Sequence, residues 1–179
     1  MTTIPCATCT LRPWRAEDRE ALIWHADDLR IAENIRDFPE PFTFVEADAW
    51  LERCIPQSPC FDFAIEVDGE AVGGVSLRLG VDEGTSAWLG EITFWLGSKY
   101  RRRGIATDAV RAATFYALER FDAVRVYALV IAPNPAGVRV LEKSEYTLLG
   151  QVPEGIRHRG RIVDAMIYGY DREAFDVEA

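Results

Sequence analysis

The sequence predicts an α+β fold: a mixed, mostly antiparallel sheet of about seven strands with helices interleaved along the chain. Three observations carry this. Phe61, Phe63, Ile65 and Val67 alternate with Asp62, Ala64 and Glu66, the two-residue period of a strand, and Asp68-Gly69 follows as a hairpin turn. Two apolar, strand-like runs at 87–96 and 124–131 flank a helical stripe, so a crossover helix joins a parallel pair. No repeat, low-complexity segment or Pro/Gly/Ser-rich linker divides the 179 residues, so one domain over residues 1–179 is expected.

In chain order, residues 8–14 form a short first strand. Residues 18–29 form a helix, with Ala21, Leu22, Ala26 and Leu29 at helical spacing. Pro39 and Pro41 make 37–43 a loop, and residues 45–55 form a second helix that Pro56 stops. The hairpin pairs 61–67 with 71–79. A polar, turn-rich stretch at 81–86 leads to the long strand 87–96. The helix over about 104–120 buries Ala106, Ala109 or Val110, Ala113, Ala117 and Phe121, small residues that allow close packing on a sheet. Residues 124–131 are β-branched and apolar, a buried strand; 135–144 is a short helix; 146–152 and 162–170 close the sheet.

The bulk numbers exclude several classes. A hydrophobic content of 49% with 27% charged residues is ordinary for a globular chain. No run spans a bilayer and no signal-peptide pattern opens the chain, so the expected location is the cytoplasm, without a membrane partner. A net charge of −9 opposes a nucleic-acid partner and weakly favours a cationic or amine substrate. The cysteines are Cys6, Cys9, Cys54 and Cys60. Cys6-Ala7-Thr8-Cys9 has CxxC spacing, but no second CxxC and no helix start follows it, so reduced thiols and no metal site are expected.

The most informative segment is Tyr100-Arg101-Arg102-Arg103-Gly104-Ile105-Ala106-Thr107, between the strand ending Phe94-Trp95-Leu96 and the long helix. A glycine at a strand-to-helix turn lets backbone N–H groups approach a ligand, and the helix start favours an anion. Arginines there suit a pyrophosphate. A dinucleotide loop would need G-x-G-x-x-G and a P-loop would need Gly-Lys-Ser/Thr; both are absent.

Arg101-Arg102-Arg103-Gly104-Ile105-Ala106 resembles the Arg/Gln-x-x-Gly-x-Gly/Ala acetyl-CoA pyrophosphate loop of the GNAT N-acetyltransferase superfamily. Asn134-Pro135-Ala136-Gly137, followed by Leu141-Glu142-Lys143-Ser144-Glu145-Tyr146, is similar to the later motif of that family. Leu11-Arg12-Pro13-Trp14, Pro41-Phe42-Thr43 with Ala49-Trp50-Leu51, and Glu154-Gly155 with Arg157, Gly160-Arg161 and Asp164 resemble the RimJ/RimL-type branch. The resemblance covers essentially the whole chain. It implies a three-layer α/β/α arrangement with a splayed parallel pair, and acetyl-CoA as co-substrate. It places Phe94, Trp95, Leu96, Arg101, Arg102, Arg103, Gly104, Ile105, Ala106, Thr107, Asn134 and Arg139 at the cofactor. Asn134 also suits a helix N-cap with Pro135 at the first helical position. Two positions depart from the pattern: the family serine is Gly137, and the glycine before the aromatic is Glu145.

Acetyl transfer to an amine needs a base, a polarised thioester carbonyl and a protonated leaving thiolate. No Ser-His-Asp or Cys-His arrangement is visible, which suits direct transfer in a ternary complex. Leu89, Glu91, Thr93 and Trp95 share one strand face. Glu91 lies within an apolar strand, where burial would raise its pKa, and by resemblance it is the candidate base. The resemblance also implies a bulge in this strand. His158, between two arginines, is the weaker alternative; His25 is expected on a solvent-facing or site-rim position; Tyr168 and Tyr170 are candidate acids. The first two helices and last hairpin, with Trp24, Asp28, Phe38, Phe42 and Trp50, would wall the acceptor. The acceptor class is a primary amine: a protein N-terminus, an amino acid or peptide, a polyamine or an amine antibiotic. The competing class is a non-catalytic acyl-CoA-binding or sensing module, for which the missing serine at Gly137 speaks. Members of this branch often pair, so a homodimer is expected.

Overall fold

The computed structural model describes residues 2–54 and 60–173, the side chain of Cys60 excepted. Its strands are β1 (Ile4–Pro5), β2 (Thr10–Pro13), β3 (Cys60–Val67), β4 (Glu70–Val81), β5 (Trp88–Leu96), β6 (Arg125–Ile131), β7 (Thr147–His158) and β8 (Arg161–Asp171). Its α-helices are α1 (Arg19–Ala26), α2 (Leu29–Ala32), α3 (Phe44–Arg53), α4 (Ile105–Phe121) and α5 (Pro135–Lys143). The strands form one sheet in the order β1-β2-β3-β4-β5-β6-β8-β7. Only β5 and β6 run parallel; every other neighbouring pair is antiparallel.

The expected α+β architecture and its parallel crossover are present, with local differences. Among the described residues the sheet has eight strands rather than about seven, because Ile4 and Pro5 pair with Leu11 and Thr10. The first helix stops at Ala26. Asp27 leaves helical geometry and Asp28 caps a new turn, its Oδ1 accepting from the Arg30 N–H at 2.9 Å. Two adjacent aspartates thus end the expected helix three residues early and start a further one at Leu29. The second expected helix, α3, starts at a capping box in which Thr43 and Glu46 hold each other's backbone N–H; its expected end at residue 55 lies outside the described residues. The last hairpin is longer than expected, with β7 reaching His158 through register shifts at Leu148/Gly150 and Val152/Ile156.

Alternation along the strands sorts the core onto two faces. Phe63 and Ile65 join Val75, Leu77, Ile92, Leu96, Val126 and Ala128 under α4, whose Ala109, Val110, Ala113, Ala117 and Leu118 are fully buried. Ala64 and Trp95 point the other way, into a cluster with Trp14, Leu22, Ala26, Phe38, Phe42 and Ala47 beneath α1 and α3. Small residues on α4 let it lie close to the sheet; deleting any buried Leu or Val beneath it would cost about 2–5 kcal/mol.

The β5–β6 pair positions the site. It is hydrogen-bonded only over Leu89–Glu91, opposite Arg125–Tyr127. Beyond Glu91 no rung joins the two strands among the described residues, so the last five residues of β5 have no strand opposite them on that side. The expected bulge in β5 is not there: its register with β4 is unbroken from Val81↔Trp88 to Gly73↔Leu96. The irregularity falls instead between β3 and β4, at Ile65/Glu66. Divergence of a parallel pair frees the same backbone groups that a bulge would have freed, because N–H groups past the last rung have no strand opposite them.

Candidate active site

The arginine-rich loop leaves β5 through Gly97, whose N–H donates to Val72 O at 2.8 Å. A single 3-10 turn, Ser98–Tyr100, precedes Arg101. Arg102 takes φ of 66° and Gly104 φ of 82°, both left-handed, before α4 begins. A left-handed residue followed by right-handed helix turns successive N–H groups into one concavity, and the helix dipole adds positive potential there. A Cβ built on Gly104 would meet nothing within 4 Å. The glycine is therefore required by its dihedral rather than by crowding.

The three arginines do different work. Arg101 turns back into the protein: its Nε donates to Leu96 O at 3.0 Å and its guanidinium pairs with Asp28 at 2.8 Å. It is a strut, tying the loop to the start of α2. Arg103 lies over the Tyr100 ring at 5.4 Å, and Arg102 and Arg103 are both exposed. Tyr100 donates to Glu70 at 3.0 Å, and Glu70 also meets His25 Nε2 at 2.8 Å. The hydrogen bond from His25, then that from Tyr100, holds the Glu70 carboxyl below its ordinary range. Lys99 sits 5.0 Å over the exposed Trp24 ring. His25, expected at the solvent or the site rim, is buried, because Gly97 leaves room for its ring: a Cβ there would sit 2.6 Å from Nδ1. Helix α1 and the α2 cap thus clamp residues 99–101.

At the end of β6, Asn134 caps α5, its Oδ1 accepting from the Gly137 N–H at 2.9 Å. The amide folds over Gly137 so closely that a Cβ there would lie 2.7 Å from Nδ2. The departure from the family serine is thus coupled to this cap: a side chain at 137 and this Asn134 conformation exclude each other. Glu145, at the other departure, does adopt the left-handed conformation (φ 68°), with Tyr146 N–H returning to Leu141 O at 3.0 Å and an ion pair to Arg111 at 2.5 Å. Ser144 Oγ donates to Thr107 O at 3.4 Å, joining α5 to the first turn of α4. Ile105 is buried and Ala106 and Thr107 half-buried, so this turn offers backbone N–H groups rather than polar side chains; Arg139 is exposed on α5.

Phe94 and Leu96 face α4, whereas Trp95 faces α1 and α3. There Trp14, Trp50 and Trp95 pack within 6.4 Å of one another, with Phe38 and Phe42 against them. Of the expected acceptor wall, Phe38, Phe42 and Trp50 are brought together, while Trp24 and Asp28 serve the loop. The three indole N–H groups are buried without a hydrogen-bond partner among the described residues.

Glu91 lies on the last rung that β5 shares with β6, opposite Tyr127 there and Arg78 on β4. It is half-buried and lines a pocket of about 400 Å³ with Arg78, Asp82, Glu83, Leu89 and Tyr127. Glu91 sits on the wall of this pocket rather than in the apolar core. Burial, and then the charge of Glu91, pushes the Tyr127 phenol up, which keeps its proton in place. Sequence reasoning missed Tyr127, whose only signal would have been the parallel register. Tyr168 and Tyr170, the expected acids, are core residues. His158 is buried and its Nε2 has no partner among the described residues. It pairs with Arg161, whereas Tyr127 pairs with Gly169. Eight strand residues separate those rungs, roughly 25 Å. The structure does not bring His158 to Glu91.

The acetyltransferase (GNAT) domain family matches residues 9–147. The chain belongs to the GNAT acetyltransferase family. It is by that membership an acetyl-CoA-dependent N-acetyltransferase. The GNAT fold is matched by a Bacillus anthracis acetyltransferase structure at a TM-score of 0.84 and 20% identity, covering 96% of this chain and 99% of that one. The ribosomal L7/L12 α-N-protein acetyltransferase RimL, in complex with coenzyme A, matches at 0.82 and 17%, covering 95% and 98%. Mycobacterium smegmatis RimJ, in complex with a CoA disulfide, matches at 0.82 and 21%, covering 97% and 88%. Among the described residues no helix is long and apolar enough to cross a membrane.

Proposed function

We propose that this chain is a RimJ/RimL-type enzyme that acetylates the α-amine of a polypeptide by direct transfer, with Glu91 as base and Tyr127 as acid. One observation carries the reading: Glu91 and Tyr127 face each other on the last rung before β5 and β6 part. Past that rung, the loop 101–107 and Asn134 follow the two strand ends. Acetyl-CoA would lie with its pyrophosphate on the N–H groups of 104–107, near Arg102 and Arg103. Its pantetheine arm would run along the edge of β5 beyond Glu91, toward Phe94–Leu96, between the parted strands. The thioester then reaches the Glu91–Tyr127 rung.

In the reaction the amine nitrogen attacks the thioester carbonyl carbon and the C–S bond breaks. Glu91 takes the amine proton, directly or through one water, and Tyr127 gives its proton to the departing sulfur. The products are an N-acetyl amide and free CoA thiol. The aromatic wall of Phe38, Phe42 and Trp50 suits an acceptor with an apolar first side chain.

The test is thiol release from acetyl-CoA against peptides with free N-termini, free amino acids, polyamines and aminoglycosides. Turnover confined to peptides is the expected result. Turnover confined to a non-peptide amine would contradict the acceptor assignment, and tight acetyl-CoA binding with no turnover on any amine would favour a sensing module.

A further inference from the structure

We propose that Cys6 and Cys9 form a redox-active dithiol, which low-molecular-weight disulfides convert into an intramolecular disulfide. From sequence, Cys6 and Cys9 are expected to be reduced thiols, because no second CxxC and no helix start follows them. The fold supplies in space what the sequence lacks locally. The β1–β2 register sets Ile4 opposite Leu11 and Pro5 opposite Thr10, so the next rung sets Cys6 opposite Cys9. The Cys6 N–H donates to Cys9 O at 2.9 Å. Directly opposed residues of an antiparallel pair hold their Cα atoms about 4.5–5.5 Å apart, inside the range of about 4.4–6.8 Å that a disulfide tolerates.

The pair is also asymmetric, as an attacking and a resolving thiol must be. Cys6 is half-exposed, at the turn. Cys9 is buried, its sulfur 4.0 Å from the carbonyl of Ile105, the first residue of α4. Next to it, the Thr8 hydroxyl donates to Asp108 at 2.6 Å in the first turn of that helix. The hydrogen bond from Cys9 lowers the Cys6 thiol pKa, against burial and the Asp108 carboxylate, which raise it. Cys54, by contrast, is buried with no thiol opposite it among the described residues, and burial pushes its thiol up.

The step balances as thiol–disulfide exchange. The Cys6 thiolate attacks one sulfur of a disulfide RSSR, forming a mixed disulfide and releasing RS⁻, which takes a proton from solvent. Cys9 loses its proton and attacks the Cys6 sulfur, releasing the second thiol. The protein dithiol gives up two electrons and two protons, and one RSSR becomes two RSH.

The experiment exposes the full chain to a series of glutathione disulfide to glutathione ratios, with acid quenching, alkylation of free thiols and peptide mapping by mass spectrometry. The expected product joins residues 6 and 9 with the mass of two hydrogens lost. It should form at least ~10-fold faster than any modification of Cys54. The Cys9→Ser variant should stop at a glutathione adduct on Cys6, and Cys6→Ser should leave residue 9 unmodified. Wild-type protein that keeps both thiols reduced through the series overturns the proposal, as do adducts on both cysteines without the intramolecular bond. Should either variant fail to fold, the wild-type map decides. The readout is mass rather than activity, so its failure leaves the proposed acetyl transfer untouched, and the converse holds.

Discussion

The two ends of β5 are built on opposite principles. At its C-terminal end, the loop 97–104 is fastened by Asp28, Glu70, His25 and Trp24, and it presents backbone N–H groups from left-handed turns. Toward its N-terminal end, Glu91, the fourth residue of β5, lines an open pocket with Tyr127 of β6. A nucleotide pyrophosphate is always the same, so the cradle proposed for it can be preorganised and made of main chain. Acceptors arrive by diffusion and must lose a proton, so the chemical end keeps access to water.

That contrast is broken most severely at the chemical end. Glu91→Gln is expected to lower kcat by ~10²–10³, the usual worth of a general base, with KM for acetyl-CoA nearly unchanged. Steady-state kinetics with acetyl-CoA varied at saturating acceptor measures both. Near-normal turnover would remove Glu91 from the chemistry. At the cradle, Gly104→Val forces a β-branched residue to φ of 82°, a strain of about 1–3 kcal/mol that the loop relieves by moving. Calorimetry should show acetyl-CoA binding ~10-fold weaker or worse; wild-type affinity would refute the loop assignment.

Two smaller effects sharpen the comparison. Asp28→Asn keeps an oxygen to cap α2 but removes the charge facing Arg101, a partly exposed pair worth about 1 kcal/mol. The expected outcome is a KM for acetyl-CoA raised a few-fold with kcat retained; a loss in kcat instead would put Arg101 in the chemistry. The smallest effect is on pH. The Glu70 carboxyl is held below its ordinary range by His25 and then Tyr100, so its contribution is full above the ordinary carboxylate pKa and lost as pH falls through the lowered one. Melting temperature followed over acid pH should fall less steeply for Glu70→Gln than for wild type. Parallel curves would mean that the network adds nothing.

The fold was legible where one residue type dictates local geometry. Asp68-Gly69 marked its hairpin, and the alanine stripe of α4 marked the crossover. Gly104 was marked as a turn because only backbone freedom explains a glycine there. What stayed hidden depended on partners far away in the chain. Arg101 reads as an anion ligand until Asp28, 73 residues earlier, is seen to hold it. Tyr127 acquires its place only through the parallel register with Glu91, and periodicity carries no register. Gly137 reads as a lost catalytic hydroxyl, although its lack of a side chain is what lets Asn134 fold over it. The break between α1 and α2 was missed because Ala26 and Leu29 keep helical spacing across Asp27-Asp28.

The most direct measurement is steady-state kinetics of Tyr127→Phe across pH, beside calorimetric binding of acetyl-CoA. The expected result is acetyl-CoA affinity within about two-fold of wild type, with kcat lowered ~10²-fold and the alkaline limb of its pH profile lost. Unchanged kcat would contradict the division between a preorganised cradle and a Glu91–Tyr127 chemical rung, as would a loss confined to acetyl-CoA affinity.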